Sequence, residues 1–263
     1  MTVLRTIFFQ AYMWIELLLL MFVWLRVQWA NKFSPREKRD ALVDKIVRNW
    51  ARRLLFMAGA KVTVTGRENI PEGRTCVFAS NHQSFFDILV LLAHLDKPHA
   101  ILSKASIGKV PLIRLWMKEI HCVYVDRADM KAGIEAVNKM IEVINSGYSA
   151  IIFPEGTRSK TGEVGEFKGG AFMVAQKTGA PVVPVALDGT AALFERNKYW
   201  IKPGRVSMAI LPPIETKGMS RTEFKELPAR TQQLITQAKA AFETGDSASG
   251  AGTGTVTVQS SGE

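Results

Sequence analysis

The sequence predicts an α/β fold, a mostly parallel mixed sheet flanked by helices, with an N-terminal membrane-anchoring helical segment. Three observations carry this reading. From Lys61 to about Phe242, short apolar, β-rich runs alternate with longer segments of helical periodicity, the pattern of a layered α/β domain. Residues 7–25 are almost wholly apolar, and residues 32–53 then carry eight Lys/Arg against three acids. Residues 245–263 hold few large apolar side chains and no basic ones, the composition of a disordered tail. The expected division is therefore 1–60 for the anchor and a basic amphipathic helix, 61–244 for the folded body, and 245–263 for the tail.

In chain order, the run "IFFQAYMWIELLLLMFVWL" (7–25) contains one charge, Glu16. As a helix it extends roughly 28 Å, close to the thickness of a bilayer core. Glu16 makes full insertion costly by a few kcal/mol. Spanning the bilayer, dipping into one leaflet as a helical hairpin, and serving as a cleaved signal peptide are the three readings. The basic flank and the lack of a small-residue cleavage site argue against the last. If the segment spans, the positive flank keeps the rest of the chain in the cytoplasm, at the inner membrane. Within 32–57, Leu42, Val43, Ile46, Val47, Trp50, Leu54 and Met57 recur at helical spacing, with cations largely on the other faces. Such a helix suits an anionic membrane surface.

Strands are expected at 61–65, 75–80, 98–103, 120–125, 149–153, 181–187 and 204–210. Helices are expected at 84–95, 109–118, 130–145, 168–178 and 220–243. The stretch "SNHQSFFD" (80–87) joins the second strand to the first of these helices. It places His82 in the turn, Ser84 as helix cap, and Asp87 in the first helical turn, as in the S/T-x-x-[D/E] capping pattern. His82 and Asp87 meet only if the chain bends between them, since five residues separate side chains by about 140° on a helix. The same spacing recurs at His121 and Asp126, but inside an apolar β-type run that holds the two side chains on opposite faces.

The later strand ends are polar in the same way. "IIFPEGTRS" (151–159) ends a buried strand with Glu155, Gly156, Thr157 and Arg158. Arg158 offers a bidentate phosphate fork, and Glu155 an acceptor for substrate hydroxyls. Lys168 with its paired glycines opens a helix, Lys104 closes the third strand, and Asp126 and Arg127 follow the fourth. If these strands are parallel, their ends converge on one face. A base–carboxylate pair beside a cationic pocket on a membrane-anchored body implies chemistry on a phosphorylated lipid.

"NHQSFFD", "VYVDR", "FPEGTRS" and "PVVPVAL", in this order, resemble the four motifs of the glycerophosphate acyltransferases, and most closely the 1-acyl-sn-glycerol-3-phosphate acyltransferase branch. The resemblance spans about residues 61–215 and makes 61–244 the catalytic domain. It implies acyl transfer from an acyl carrier protein or coenzyme A thioester to the 2-hydroxyl of lysophosphatidic acid, giving phosphatidic acid. It further implies His82 as general base, Asp87 as the carboxylate orienting it, and Arg127, Glu155, Gly156, Thr157 and Arg158 as binders of the glycerol phosphate. Pro184 falls in the fourth motif, assigned to acyl-donor or structural contacts. Many members carry a glycine where this chain has Arg114, three residues after Pro111.

The chemistry agrees: a neutral imidazole can take the proton of an attacking alcohol, so no protein nucleophile is needed. Backbone amides near residue 84 are candidate oxyanion donors. With 34 Lys/Arg against 24 Asp/Glu, the net charge of +10 calls for an anionic partner. Anionic membrane lipid and a phosphorylated substrate fit it, and nucleic acid does not, because the cations adjoin an apolar anchor and form no recognised module. Cys76 and Cys122, and the histidines at 82, 94, 99 and 121, have no metal-ligand spacing, so no metal or cofactor is expected. The alternatives are a different lysophospholipid acceptor, a hydrolase that activates water, and a non-catalytic membrane-binding protein.

Overall fold

Seven strands form one sheet in the order β1-β7-β6-β2-β5-β3-β4. The computed structural model describes residues 2–95, 99–125 and 129–244. The strands are β1 (Ala60–Thr65), β2 (Val77–Ser80), β3 (His99–Lys104), β4 (Val123–Val125), β5 (Ser149–Ile152), β6 (Val182–Asp188) and β7 (Gly204–Ile210). All neighbours pair in parallel except β6 and β7. The expected mixed, mostly parallel sheet is thus observed, and β2 lies between β5 and β6. The continuous apolar character of β2 and β5 follows, since every residue of both strands is buried.

Around the sheet pack α1 (Thr2–Phe33), α2 (Arg36–Ala58), α3 (Phe86–His94), α4 (Pro111–Glu119), α5 (Met130–Asn145), α6 (Met173–Thr178), α7 (Thr190–Leu193) and α8 (Arg221–Thr244). One sheet face, with α1, α2 and α3, forms a core around Val47, Leu54, Phe78, Phe86 and Leu89. The other face packs α5, α6 and α8 around Val77, Met140, Phe172 and Ile235.

Two expectations for the N-terminus change. The first concerns α2, whose apolar stripe is buried against α1, α3 and the sheet rather than left free for a lipid surface. Several of its cations are also engaged internally: Arg39 with Asp40 and Glu119, Arg48 with Asp44, Arg52 with the Ala93 carbonyl, and Arg53 with Glu16. The second is the boundary at residue 60, which separates no cores: Phe9, Leu20 and Val27 of α1 share one with Phe78 and Val183 of the sheet.

Glu16 is explained by the same packing. It accepts from Tyr12 Oη at 2.8 Å and pairs with Arg53 Nε at 2.5 Å, so the charge in the apolar helix is matched from α2. The opposite face of α1 stays open, with Leu4, Phe8, Ile15, Leu19, Phe22 and Trp29 exposed. It is the one helix among the described residues that is long and apolar enough to cross a membrane.

The run around His121 is not the unbroken strand expected. His121 adopts φ +55° in the turn that ends α4, and β4 begins only at Val123. Asp126, Arg127 and the tail 245–263 lie outside the described residues.

Candidate active site

The site is built where β2 ends between β5 and β6. Asn81 continues the strand by proxy: its side chain donates to the Leu187 carbonyl at 2.9 Å and accepts the Leu187 N–H at 2.8 Å. Gln83 Nε2 reaches the same carbonyl at 2.8 Å. The end of β6 thereby fixes the chain on both sides of His82. From β5 the loop after Phe153 takes hold of His82 itself. Its N–H donates to Glu155 Oε1 at 2.7 Å, and its carbonyl accepts from Ser159 N at 2.8 Å. Two motifs some seventy residues apart therefore share the main chain of one histidine.

The bend that lets His82 meet Asp87 is held by side chains. Asp87 Oδ2 lies 2.8 Å from His82 Nδ1 and accepts the N–H groups of Gln83 and Ser84, each at 2.7 Å. Thr190 Oγ1 donates to its other oxygen. Asp87 is fully buried, and the His82 ring stacks on Phe153 at 4.1 Å with its side chain 12% exposed. With Nδ1–H donated to the carboxylate, Nε2 keeps its lone pair, the arrangement of a general base.

Ser84 does not cap α3 as expected: the helix starts at Phe86 with Phe85 in the cap position and no side-chain cap, and Ser84 Oγ instead accepts the Phe86 N–H at 3.0 Å within the preceding turn. Phe85 N–H donates to Glu195 at 2.9 Å, and Ser84 Oγ donates to the same carboxylate at 2.6 Å. The five amides of residues 82–86 thus all point at side-chain acceptors. This corrects the expectation that amides near residue 84 supply oxyanion donors, because a committed N–H has nothing left to offer.

Glu155 differs from its expected role as an acceptor for substrate hydroxyls. Its carboxylate is turned inward, Oε1 to His82 N and Oε2 to Gly165 N at 3.1 Å. Burial pushes its carboxyl above the usual carboxylate range, while the two amide bonds pull the other way. Gly156 takes φ +75°, a left-handed turn that lets the loop fold back beside the Lys168 ammonium. Thr157 and Arg158 are exposed, and Arg158 Nη1 donates to Glu195 Oε1 at 2.9 Å.

The structure thus gathers His82, Asp87, Glu155 and Arg158, with Gly156 and Lys168 alongside. Lys104 closes β3 on the same edge of the sheet, two strand positions from β2 and so about 10 Å away. Arg127 is outside the described residues. Thr190 and Glu195 were not anticipated; they come from the segment after β6, and nothing local in "GTAALFERN" marks them. Among the described residues, no cluster of three or more His, Cys, Asp or Glu side chains could hold a metal ion.

An apolar cavity of about 100 Å³ opens between α1, α2, α3 and α4, next to the turn that carries His82. Leu17, Trp50, Phe85, Leu89, Ile113 and Trp116 are among its walls. It has almost no polar lining, so it suits a hydrocarbon chain.

The profile of the Acyltransferase family matches residues 61–188. Over 156 residues the chain is 40% identical to the chloroplastic 1-acyl-sn-glycerol-3-phosphate acyltransferase BAT2 of Brassica napus, covering 59% of this chain and 45% of that one. It spans about half the length of such plant relatives. It is 32% identical over 181 residues to the 1-acyl-sn-glycerol-3-phosphate acyltransferase of Borreliella burgdorferi, covering 69% of this chain and 72% of the other. The crystal structure of the 1-acyl-sn-glycerophosphate acyltransferase PlsC from Thermotoga maritima superposes with a TM-score of 0.79 at 29% identity, covering 92% of this chain and 98% of that one.

Proposed function

We propose that this chain, which belongs to the 1-acyl-sn-glycerol-3-phosphate acyltransferase family, moves a fatty acyl group from a thioester to the 2-hydroxyl of lysophosphatidic acid, giving phosphatidic acid. The observation that carries the reading is the His82–Asp87 pair, seated between the Arg158 loop and an apolar cavity. Each of the three parts serves one part of the reaction.

His82 Nε2 takes the proton of the acceptor hydroxyl as its oxygen attacks the thioester carbonyl. The C–O bond forms, the tetrahedral adduct collapses, and the C–S bond breaks. The imidazolium returns its proton to the departing thiolate. Asp87 stabilises the charged ring and fixes its tautomer, as the carboxylate of a serine protease triad does. Among the described residues Arg158 is held by Glu195 through Nη1, which leaves further N–H groups for the acceptor phosphate. Lys104, at the end of β3, adds positive charge to the same edge, and Arg127 is the further phosphate-binding cation that the motif resemblance implies. The acyl chain lies in the cavity, and the donor is an acyl carrier protein or coenzyme A thioester.

The open apolar face of α1 enters one leaflet of the inner membrane, with the body on the cytoplasmic side. Support comes from its packed side: a helix held along its length by α2 and α4 lies on the body. The test is an acyl-transfer assay on membranes containing the protein, with labelled oleoyl thioester. Product with lysophosphatidic acid and not with lysophosphatidylcholine or lysophosphatidylethanolamine is expected. Product mainly with a head-grouped acceptor refutes the acceptor assignment, and free fatty acid without acceptor refutes transfer.

A further inference from the structure

Among the described residues, most large apolar side chains exposed to solvent lie on α1, and one adjacent pair lies elsewhere: Tyr199 and Trp200, 62% and 41% exposed. They sit in "FERNKYWIKPG" (194–204), between α7 and β7. Lys198 and Tyr199 both take left-handed backbone angles, φ +54° and +64°. Two successive non-glycine residues there cost on the order of 1–2 kcal/mol each. The turn is nonetheless well defined. Tyr199 N–H donates to the Phe194 carbonyl at 3.1 Å, Trp200 N–H to Asn197 at 3.0 Å, and Lys202 N–H to Leu193 at 2.9 Å. Ile201 points inward, fully buried, and its N–H donates to Thr6 Oγ1 of α1 at 2.8 Å. A strained turn therefore buries the isoleucine and turns the two aromatic residues out.

The pair is not isolated on the surface. Gly59, at the end of α2, is where three elements meet: its carbonyl accepts from Gly204 N at 3.3 Å, and Arg5 and Pro203 close over its Cα. Phe56, one turn back, is the most exposed large apolar residue described, at 79%. The first turns of α1 add exposed Val3, Leu4, Ile7 and Phe8. Arg5, Lys198 and Lys202 are exposed at the same corner, and Glu195 is the only acid between residues 189 and 214.

We infer that the Lys198–Lys202 loop, with Phe56 and the first turns of α1, is a second membrane contact that seats Tyr199 and Trp200 at the headgroup level of an anionic bilayer. The inference rests on the reading of α1 as membrane-inserted. The apolar face of α1 runs continuously onto this corner, where exposed aliphatic side chains give way to Tyr, Trp and Lys. That is the composition favoured where hydrocarbon gives way to headgroups, with amphipathic rings at the boundary and ammonium groups on lipid phosphates. The contact also reaches the site. Tyr199 packs edge-on against Phe194 at 5.4 Å and Phe194 against Phe86 at 6.1 Å, while Glu195 holds Arg158 and the start of α3. Seating the loop sets the height of the catalytic turn above the lipid.

The test is tryptophan quenching of the full-length protein in phosphatidylcholine–phosphatidylglycerol vesicles, with bromines placed near the headgroup or deep in the acyl chain. The difference between wild type and Trp200→Phe isolates Trp200, and the variant's five remaining tryptophans include Trp14 and Trp29 on the open face of α1, through which it reports that helix. We expect the Trp200 signal to be quenched about twofold or more by shallow bromines relative to deep ones, at the depth where Trp is favoured. A Trp200 signal that neither bromine quenches and acrylamide still reaches, in a protein whose other tryptophans are quenched, overturns the loop contact alone. No quenching in either protein overturns the membrane reading of α1 and the loop with it. A Trp200 shielded from acrylamide in detergent points to a protein partner or second copy and overturns the lipid assignment.

Discussion

Asp87 Oδ2 stands 2.8 Å from His82 Nδ1 and 2.7 Å from the amide nitrogens of both Gln83 and Ser84. One oxygen therefore orients the base and closes the turn on which the base sits. The two neighbouring residues must then behave differently when replaced. His82→Ala is expected to lower kcat by about 10²–10⁴-fold with a small change in thermal unfolding. Asp87→Ala is expected to lose activity and stability together, because it strands buried donors at about 1–3 kcal/mol each. Unfolding curves beside kinetic assays separate the two outcomes; equal stability of both variants would contradict the turn-closing role.

Arg158 and Glu195 make a second testable pair. Arg158→Ala should raise the acceptor KM by about tenfold or more and leave the donor KM unchanged, since a charge-assisted hydrogen bond is worth about 1.5–3 kcal/mol. Glu195→Gln should shift the same constant by less, because an amide still accepts one bond but no longer pairs with the guanidinium. A change confined to kcat in Arg158→Ala would count against a phosphate contact.

The Glu16–Arg53 pair predicts a non-additive cycle. Arg53→Met leaves a buried carboxylate unmatched and should lower Tm in detergent. Glu16→Leu combined with Arg53→Met should recover most of the loss, as apolar replacement of an ion pair often does. The single loss should fall below the full figure of a buried pair, about 3–5 kcal/mol, because the Arg53 side chain is 46% exposed.

The cavity predicts chain-length selectivity. Ile113→Trp adds bulk at its wall and should reduce transfer of oleoyl relative to decanoyl groups by about tenfold, the scale of a few lost methylene contacts. Competition between the two thioesters measures the ratio directly. An unchanged ratio would place the acyl chain elsewhere.

His121 predicts a pH effect on stability. Burial, and then the nearby Arg39, hold its imidazole below the usual value. The unfolded chain takes up a proton near its ordinary pKa of about 6.5, whereas the folded chain resists it. The folded state therefore loses stability as pH falls below about 6.5 towards the depressed value. His121→Asn, which tolerates the left-handed backbone, should show a smaller Tm drop between about pH 7 and about pH 5.5.

Much of the fold was legible because its signals are local. Each strand from β1 to β7 lies within a few residues of its apolar run, and α5 matches 130–145 at both ends. The His82–Asp87 approach was legible as well, since the end of a strand and the start of a helix lie within eight residues. What failed was local too, but misleading. The apolar stripe of α2 has the same periodicity whether it meets lipid or α3, so burial could not be read from spacing. The run at His121 looks like one strand until the end of α4 claims its first residues.

By itself, then, the sequence determined the alternation of strands and helices, the strand-end positions of the polar motifs, and the apolar character of α1. These depend on residue type and on periods of two and 3.6, which any window of the chain carries. Only the tertiary structure decided which strand ends are neighbours. Placing β2 between β5 and β6 lets Glu155 and Ser159 grip His82 from one side and Leu187 grip Asn81 from the other. It also brought Thr190 and Glu195 to the turn from about a hundred residues away, and Arg53 to Glu16. Such partnerships come from packing, in which a carboxylate and its donors are joined by burial and distance, and no window of sequence records either.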